Sequence, residues 1–291
     1  MTLPPGPLPP APSPAATSER MPSVVPPAGA PPDRMPRWAK VLLFVVLPAL
    51  VILAVAAVIL LAFVLRGSGY TDVLESRAGS RVEVRIPHAG LEFAPGAAGE
   101  LRVEASGSYI GRQPRIEINN ARNNTTEITG GCRGGWLDLC RIRVTVFLPE
   151  STDLDVEAQN GGISVEGLTG SLSLATRNGA VLVQNPAGPL ELSTTNGGVQ
   201  INGATSADII ARSTNGRIDL DCADAPKTVD AETVNGAVTI TVPAGPTTYN
   251  VLAGAINGRV DTASVPDDPS ARRTISAQTV NGSVTVRVAD G

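Results

Sequence analysis

From residue 154 onward the chain repeats one pattern of apolar and polar positions around an Asn-Gly pair. The pairs are Asn160-Gly161, Asn178-Gly179, Asn196-Gly197, Asn215-Gly216, Asn235-Gly236, Asn257-Gly258 and Asn281-Gly282, with successive asparagines 18, 18, 19, 20, 22 and 24 residues apart. Three residues after each asparagine stand Ile163, Val181, Val199, Ile218, Val238, Val260 and Val284. Six residues before stand Leu154, Leu172, Leu190, Ile209, Val229, Val251 and Ile275. Small or aliphatic residues recur four before, and Val165, Val183, Ile201, Leu220, Ile240, Thr262 and Val286 five after. Polar residues such as Asp155, Ser173 and Glu191 fall between them. Each repeat therefore predicts two half-buried strands of period two. Their phase slips by one residue across Asn-Gly, which places a turn there. Glycine at φ > 0 costs nothing, and asparagine tolerates it better than most residues.

A fixed period near twenty residues marks a repeat architecture. Asn-Gly between alternating strands is also the strongest short hairpin signal, so an antiparallel meander competes with a solenoid. Burial separates the two. A fourteen-stranded meander leaves one long aliphatic face needing a cover, and the sequence offers neither an amphipathic helix nor a second sheet to supply it. A solenoid buries that face against itself, at roughly 1.5–3 kcal/mol per aliphatic side chain. The expected fold is all-β: a solenoid of about seven coils of 18–24 residues over 154–291.

The preceding chain divides into three parts. Residues 1–40 hold thirteen prolines, among them Pro4-Pro5-Gly6-Pro7 and Pro9-Pro10-Ala11-Pro12. Proline lacks a backbone donor and fixes its own φ, so this tract predicts a disordered, Pro-rich tail. Residues 41–65 carry no charge. At ~1.5 Å per residue such a helix exceeds the ~30 Å hydrocarbon core, which predicts a transmembrane signal anchor bedded in the lipid bilayer. Pro48 is expected to kink it. The run is too long for a cleavable signal peptide and no Ala-x-Ala site follows. Arg34, Arg37 and Lys40 precede the span, against Arg66 and Arg77 after it, which favours a cytoplasmic N-terminus and an extracytoplasmic C-terminal region. Residues 66–153 read as a linker and an N-terminal β region, with alternating stretches Arg81–Ile86 and Arg141–Val146.

Three cysteines are present. Cys132 and Cys140 bracket Gly134-Gly135-Trp136, and in an oxidising compartment they could close a small loop worth roughly 2–3 kcal/mol. Two small buried hydrophobes is the other reading. Cys222 has no evident partner.

The run Leu148-Pro149-Glu150-Ser151-Thr152-Asp153-Leu154, then Asn160-Gly161-Gly162-Ile163-Ser164-Val165 and Leu168-Thr169-Gly170, resembles the bacterial putative-adhesin family of β-strand repeats, also called toast-rack domains. The resemblance covers roughly 70–291 and rests on strand-turn grammar, with no catalytic motif. It implies a right-handed, β-helix-like solenoid, often membrane-tethered, acting as an adhesin-like or envelope-sensing scaffold. An envelope protein or a cell-surface ligand is the partner it implies.

Composition excludes more than it suggests. A net charge of −4 spread over 291 residues offers no basic patch for nucleic acid. Aromatics are 3%, so the core must be aliphatic. His88 is the sole histidine, sits in an Ile-Pro-His-Ala-Gly turn, and has no Gly-x-Ser-x-Gly beside it. The cysteines lack Cys-x-x-Cys spacing for zinc, and no phosphate-binding loop appears, so neither metal nor cofactor is expected. Asp219 and Asp221 share an outer face around Leu220, with Asp224 beyond. That pair motivates the alternative of a β-helix enzyme acting on cell-wall glycan; a solvated face is the plainer reading, and the chain is read as no enzyme. The asparagines, if turned inward, predict an amide ladder. Irregular places where a ligand would break the repeat are the loop 262–273 and the region 105–140, with Tyr109, Asn123-Asn124 and Trp136.

Overall fold

A computed structural model describes residues 36–64, 68–121, 123–132 and 140–289. Most of the Pro-rich tail, Arg66 and Trp136 lie outside the described residues. The apolar segment is helical from Arg37 through Val64, and no residue of its stretch long and apolar enough to cross a membrane, Arg37–Ala62, is buried. Leu42–Val46 form a π-turn just before Pro48. Proline cannot donate to the carbonyl four residues back, and its ring crowds that carbonyl, so a wider turn upstream relieves the conflict.

The remaining chain forms two sheets facing one another. The strands before the Asn-Gly repeats are β1 (Ser68–Arg77), β2 (Arg81–Arg85), β3 (Gly90–Pro95), β4 (Glu100–Tyr109), β5 (Arg115–Ala121), β6 (Thr125–Gly131) and β7 (Cys140–Leu148). Each repeat then supplies a longer strand before its Asn-Gly and a shorter one after. They are β8 (Asp153–Asn160) and β9 (Ile163–Glu166), β10 (Leu172–Asn178) and β11 (Val181–Gln184), β12 (Leu190–Asn196) and β13 (Val199–Ala204). There follow β14 (Asp208–Asn215) and β15 (Ile218–Cys222), β16 (Thr228–Asn235) and β17 (Val238–Val242), β18 (Asn250–Asn257) and β19 (Val260–Asp261), and β20 (Thr274–Asn281) and β21 (Val284–Val288). The first sheet runs β1-β4-β7-β3-β9-β11-β13-β15-β17-β21-β19, and the second β18-β20-β16-β14-β12-β10-β8-β2-β6-β5.

Strands flanking an Asn-Gly do not pair with each other. Each pairs in parallel with its equivalent one coil away, so Leu172 faces Leu154 and Leu190, and Asn178 faces Asn160 and Asn196. The meander is thereby excluded, and the inward positions read from the sequence meet in a single core, except in the sixth repeat, where Val251, Ala253 and Thr262 are only partly buried and Val260 is exposed. Val156, Leu192, Ala211, Ala231, Val183 and Ile240 are all fully buried in it.

Two more coils precede the seven. β2 and β3 pair in parallel with β8 and β9, and β6 and β7 pair in parallel with β2 and β3. The chain lays the inner of these coils first, turns outward through β4 and β5, and closes the outer one with β6 and β7. β4 and β5 pair antiparallel and end the stack with β1. The far end shows the same overshoot. β20 and β21 slot between β16/β17 and β18/β19, so residues 250–261, sixth of the seven in sequence, are outermost in space.

The turn glycines are needed for a reason other than the expected left-handed φ. None of the seven asparagines has positive φ, and of the seven glycines only Gly161 and Gly282 do, at 153° and 158°, close to extended. A Cβ on Gly179, Gly197, Gly216 or Gly236 would instead overlap the backbone carbonyl of the equivalent glycine one coil before. Neighbouring strands, generally about 4.7–4.9 Å apart, leave no room for a side chain at that point.

Candidate functional site

Three hydrogen-bond ladders run along the Asn-Gly edge. In the backbone, the glycine N–H of one coil donates to the asparagine carbonyl of the next, as in Gly161 to Asn178 (2.9 Å) and Gly216 to Asn235 (3.0 Å). In the side chains, each asparagine Nδ2 donates to the preceding Oδ1: Asn178 to Asn160, Asn196 to Asn178 and Asn235 to Asn215 at 2.8 Å, and Asn215 to Asn196 at 2.9 Å. Asn281 continues the run to Asn235, and Asn257 to Asn281. The amide ladder exists, but on the exposed edge, where the sequence reading considered an inward orientation. The third ladder went unread. The hydroxyls of Thr176, Thr194, Ser213, Thr233 and Thr279 donate to the glycine carbonyl of the neighbouring coil at 2.9–3.1 Å. Its signal was legible, since a hydroxyl stands two before the asparagine in every repeat except those of Ala158 and Ala255.

His88 ends the amide ladder. It bridges Asn160 in parallel register, and its Nδ1 lies 2.9 Å from Asn160 Nδ2. Asn160 Oδ1 already accepts from Asn178, so its amide nitrogen must face His88, and Nδ1 is assigned as the unprotonated acceptor. Beside it is an open hollow of about 490 Å³, lined also by Arg141, Cys132 and Cys140. The two cysteines stand as a disulfide pair with Cα atoms 5.9 Å apart. This histidine thus serves as a terminator of the ladder, and among the described residues its side chain's hydrogen-bond partner is Asn160 alone.

On the outer face of the first sheet, Asp219 and Asp221 of β15 share a hollow of about 450 Å³ with Arg217, Gln200, Asn202, Thr239, Thr241 and Arg287. Arg217 Nε is 3.8 Å from an Asp219 oxygen, Gln200 donates to Asn202 (3.2 Å), and Arg287 donates to Thr241 (3.1 Å). Asp224 is exposed on the following loop and does not line the hollow. Two carboxylates, two guanidiniums, two amides and two hydroxyls make an open, nearly neutral hydrogen-bonding surface without an aromatic platform. No group of three His, Cys, Asp or Glu placed to hold a metal occurs among the described residues.

The outer face of the second sheet carries a charge cluster that the sequence reading did not assemble, because its members come from separate coils. Arg85 reaches Glu83 (2.9 Å), Glu127 (3.2 Å) and Glu157 (3.7 Å). Partial burial raises the Asp155 carboxyl, and the charges of Glu83 and Glu157 add to this.

The irregular loop 262–273 is tied down. Val265 is buried, Asp267 accepts from the Val251 N–H (3.1 Å), and Arg273 donates to the carbonyls of Ala225 (2.7 Å) and Pro226 (2.9 Å). Ser270 donates to Asp268 from both hydroxyl and N–H, which lowers that carboxyl. Asn123 and Asn124 take positive φ, 75° and 59°, in the turn between β5 and β6. Tyr109 is half-buried against the core.

Parallel coils, one residue position per layer and polar ladders along an edge define a β-solenoid. Residues 172–290 match the family model described as Toastrack DUF4097. No curated protein matches the chain. Solved structures it is similar to include a putative adhesin from Bacteroides fragilis at 14% identity, covering 76% of this chain and 97% of that one, with a TM-score of 0.47. A putative cell adhesion protein from Clostridium sporogenes is similar at 10% identity, over 77% of this chain and 100% of the other, with a TM-score of 0.41. A putative lipid binding protein from Parabacteroides distasonis is similar at 11% identity, over 77% and 98%, with a TM-score of 0.42.

Proposed function

We propose that this chain is a single-pass membrane protein whose solenoid works outside the cytoplasm as a non-catalytic binding scaffold, adhesin-like or envelope-sensing, with residues 1–40 on the cytoplasmic side. The observation that carries the reading is the regular polar outer face: Gln200, Asp219 and Thr239 stand in consecutive register, as do side chains all along both sheets. Such a surface displays hydrogen-bonding groups on a rigid backing, which suits recognition of a polar envelope component. The exposed apolar helix supports the tether, because so much aliphatic surface is stable only in lipid. Export would also favour the Cys132–Cys140 bond.

A reporter fused after residue 291 tests the placement. Periplasmic or extracellular activity is expected, and cytoplasmic activity would overturn it. Binding is tested with the full chain in lipid nanodiscs, offered isolated envelope fractions; retention that falls when Asp219 and Arg217 are both changed to Ala supports the outer face.

The second reading, a glycan-active enzyme, rests on Asp219 and Asp221 sharing one hollow. It requires that intact protein turn over a wall polysaccharide and that Asp219→Ala or Asp221→Ala abolish the turnover.

A further inference from the structure

The two ends of the solenoid are finished differently. At the β1/β5 end the outermost strands carry Asp72, Glu75, Arg77, Arg115 and Glu117, and Asn120 Nδ2 donates to Ser76 Oγ (3.2 Å), tying one sheet to the other. Charged, cross-tied edges resist further strand pairing. At the other end β18 reads Asn-Val-Leu-Ala-Gly-Ala-Ile-Asn, eight residues with no charge and no proline.

Its side chains are left half-covered. The inward Val251, Ala253 and Ala255 are only partly buried, whereas their register partners Ile275, Ala277 and Thr279 on β20 are buried. On the other sheet Val260 is 41% exposed, while its partner Val284 is fully buried. Outward, Leu252 is 54% and Ile256 76% exposed. Ile256 also ends an aliphatic strip through Val280 to Val234. Among the described residues no acceptor meets the Gly258 N–H and no donor meets Asn257 Oδ1, the two groups that every earlier coil uses to hold the next.

We infer that this end is a homodimer interface: two copies meet end to end about a two-fold axis, with β18 pairing antiparallel to the partner's β18 and Gly254 opposite itself. The spacing makes the strand self-complementary. With Gly254 at the axis, Leu252 faces the partner's Ile256 on the outer surface and Ala253 faces the partner's Ala255 on the inner one. These are the aliphatic cross-strand pairs that stabilise sheets. An axis perpendicular to the facing sheets extends both at once, so the two interiors join and β19 meets the partner's β19. The strand brings no charge to repel its twin. A Cβ at Gly254 would touch nothing within 4 Å, so the axis is unobstructed. Head-to-tail growth is disfavoured because the opposite end offers charged antiparallel strands and no Asn-Gly coil to meet Asn257. The assembly is therefore closed at two copies.

The test is site-directed crosslinking of the full chain in proteoliposomes. Gly254→Cys should form a covalent dimer on mild oxidation, since opposed residues of antiparallel strands have Cα atoms about 4.5–5.5 Å apart, within disulfide reach. Leu182→Cys, on the outer face in mid-solenoid, should remain monomeric. Ile256→Lys, added to Gly254→Cys, should cut crosslinking about tenfold or more, as expected for charging a central contact. The thermal midpoint of Ile256→Lys should stay within a few degrees of wild type, showing that the exposed site was changed without unfolding. Equal crosslinking at residues 182 and 254, insensitivity to Ile256→Lys, or a monomer at every lipid dilution would overturn the interface. Blockade of crosslinking only by another envelope protein would reassign the edge to that partner.

Discussion

At the scale of single residues, the Asn-Gly pair does two separable jobs. Asparagine supplies a neutral donor and acceptor to its neighbours, and glycine supplies the absence of a Cβ between tightly stacked coils. Asn215 donates to Asn196 and accepts from Asn235. Asn215→Ala should cost about 1–2 kcal/mol, two exposed neutral hydrogen bonds at ~1 each. Asn215→Asp should cost more, because a carboxylate cannot donate to Asn196. Gly197→Ala should exceed both, above about 3 kcal/mol, because the new methyl meets the Gly179 carbonyl. Denaturant midpoints of the three variants give the order, and a mild Gly197→Ala would refute the close-approach account. At the ladder's other end, His88→Asn should hold stability near wild type by offering an amide oxygen to Asn160. His88→Ala removes the acceptor and should be the less stable of the two by up to about 1 kcal/mol.

Cys222 gives a residue-scale prediction in pH. Burial, with the Asp221 charge adding, pushes its thiol from 9.0 up to about 12. The unfolded chain ionises this thiol near 9.0, and the folded chain only near 12. Its contribution to stability is therefore whole below about 9 and lost as pH rises toward 12. Thermal midpoints measured across that window should fall more steeply for wild type than for Cys222→Ala. Parallel slopes would show that the thiol is not held protonated by the fold.

At the scale of elements, the most informative feature is that chain order and stack order part company. β20 stands between β16 and β18. Removing residues 274–291 should leave β18 without β20, its one ladder neighbour among the described residues, so amides of 250–261 should lose protection from hydrogen exchange while those of 154–222 keep it. Coils stacked in chain order would keep 250–261 paired to β16 and protected. Solenoid stability is close to a sum of neighbour interfaces, which is why the loss should remain local.

At the scale of the whole molecule, the sequence by itself determined a great deal. The four apolar positions around each of the seven Asn-Gly pairs settled the number of strands per repeat, the inward face and the choice of solenoid over meander, since an aliphatic face of that length has to bury itself. The uncharged run 41–65 likewise announced a membrane-competent helix. Coils without an Asn-Gly were harder to see: β2/β3 carries His88 at the ladder position, and β6/β7 carries Cys132 and Cys140 near it. The outer-face groupings were only half legible. Asp219 and Asp221 are neighbours along one strand and could be paired by counting, whereas Arg85, Glu127 and Glu157 are 30–42 positions apart or more from coil to coil and meet only through register. The tertiary structure alone decided which coil is last. A periodic sequence gives every coil nearly the same stacking energy against every other, so local pattern cannot rank them. The long connections 243–249 and 262–273, which bury Tyr249 and Val265, permit the insertion of β20.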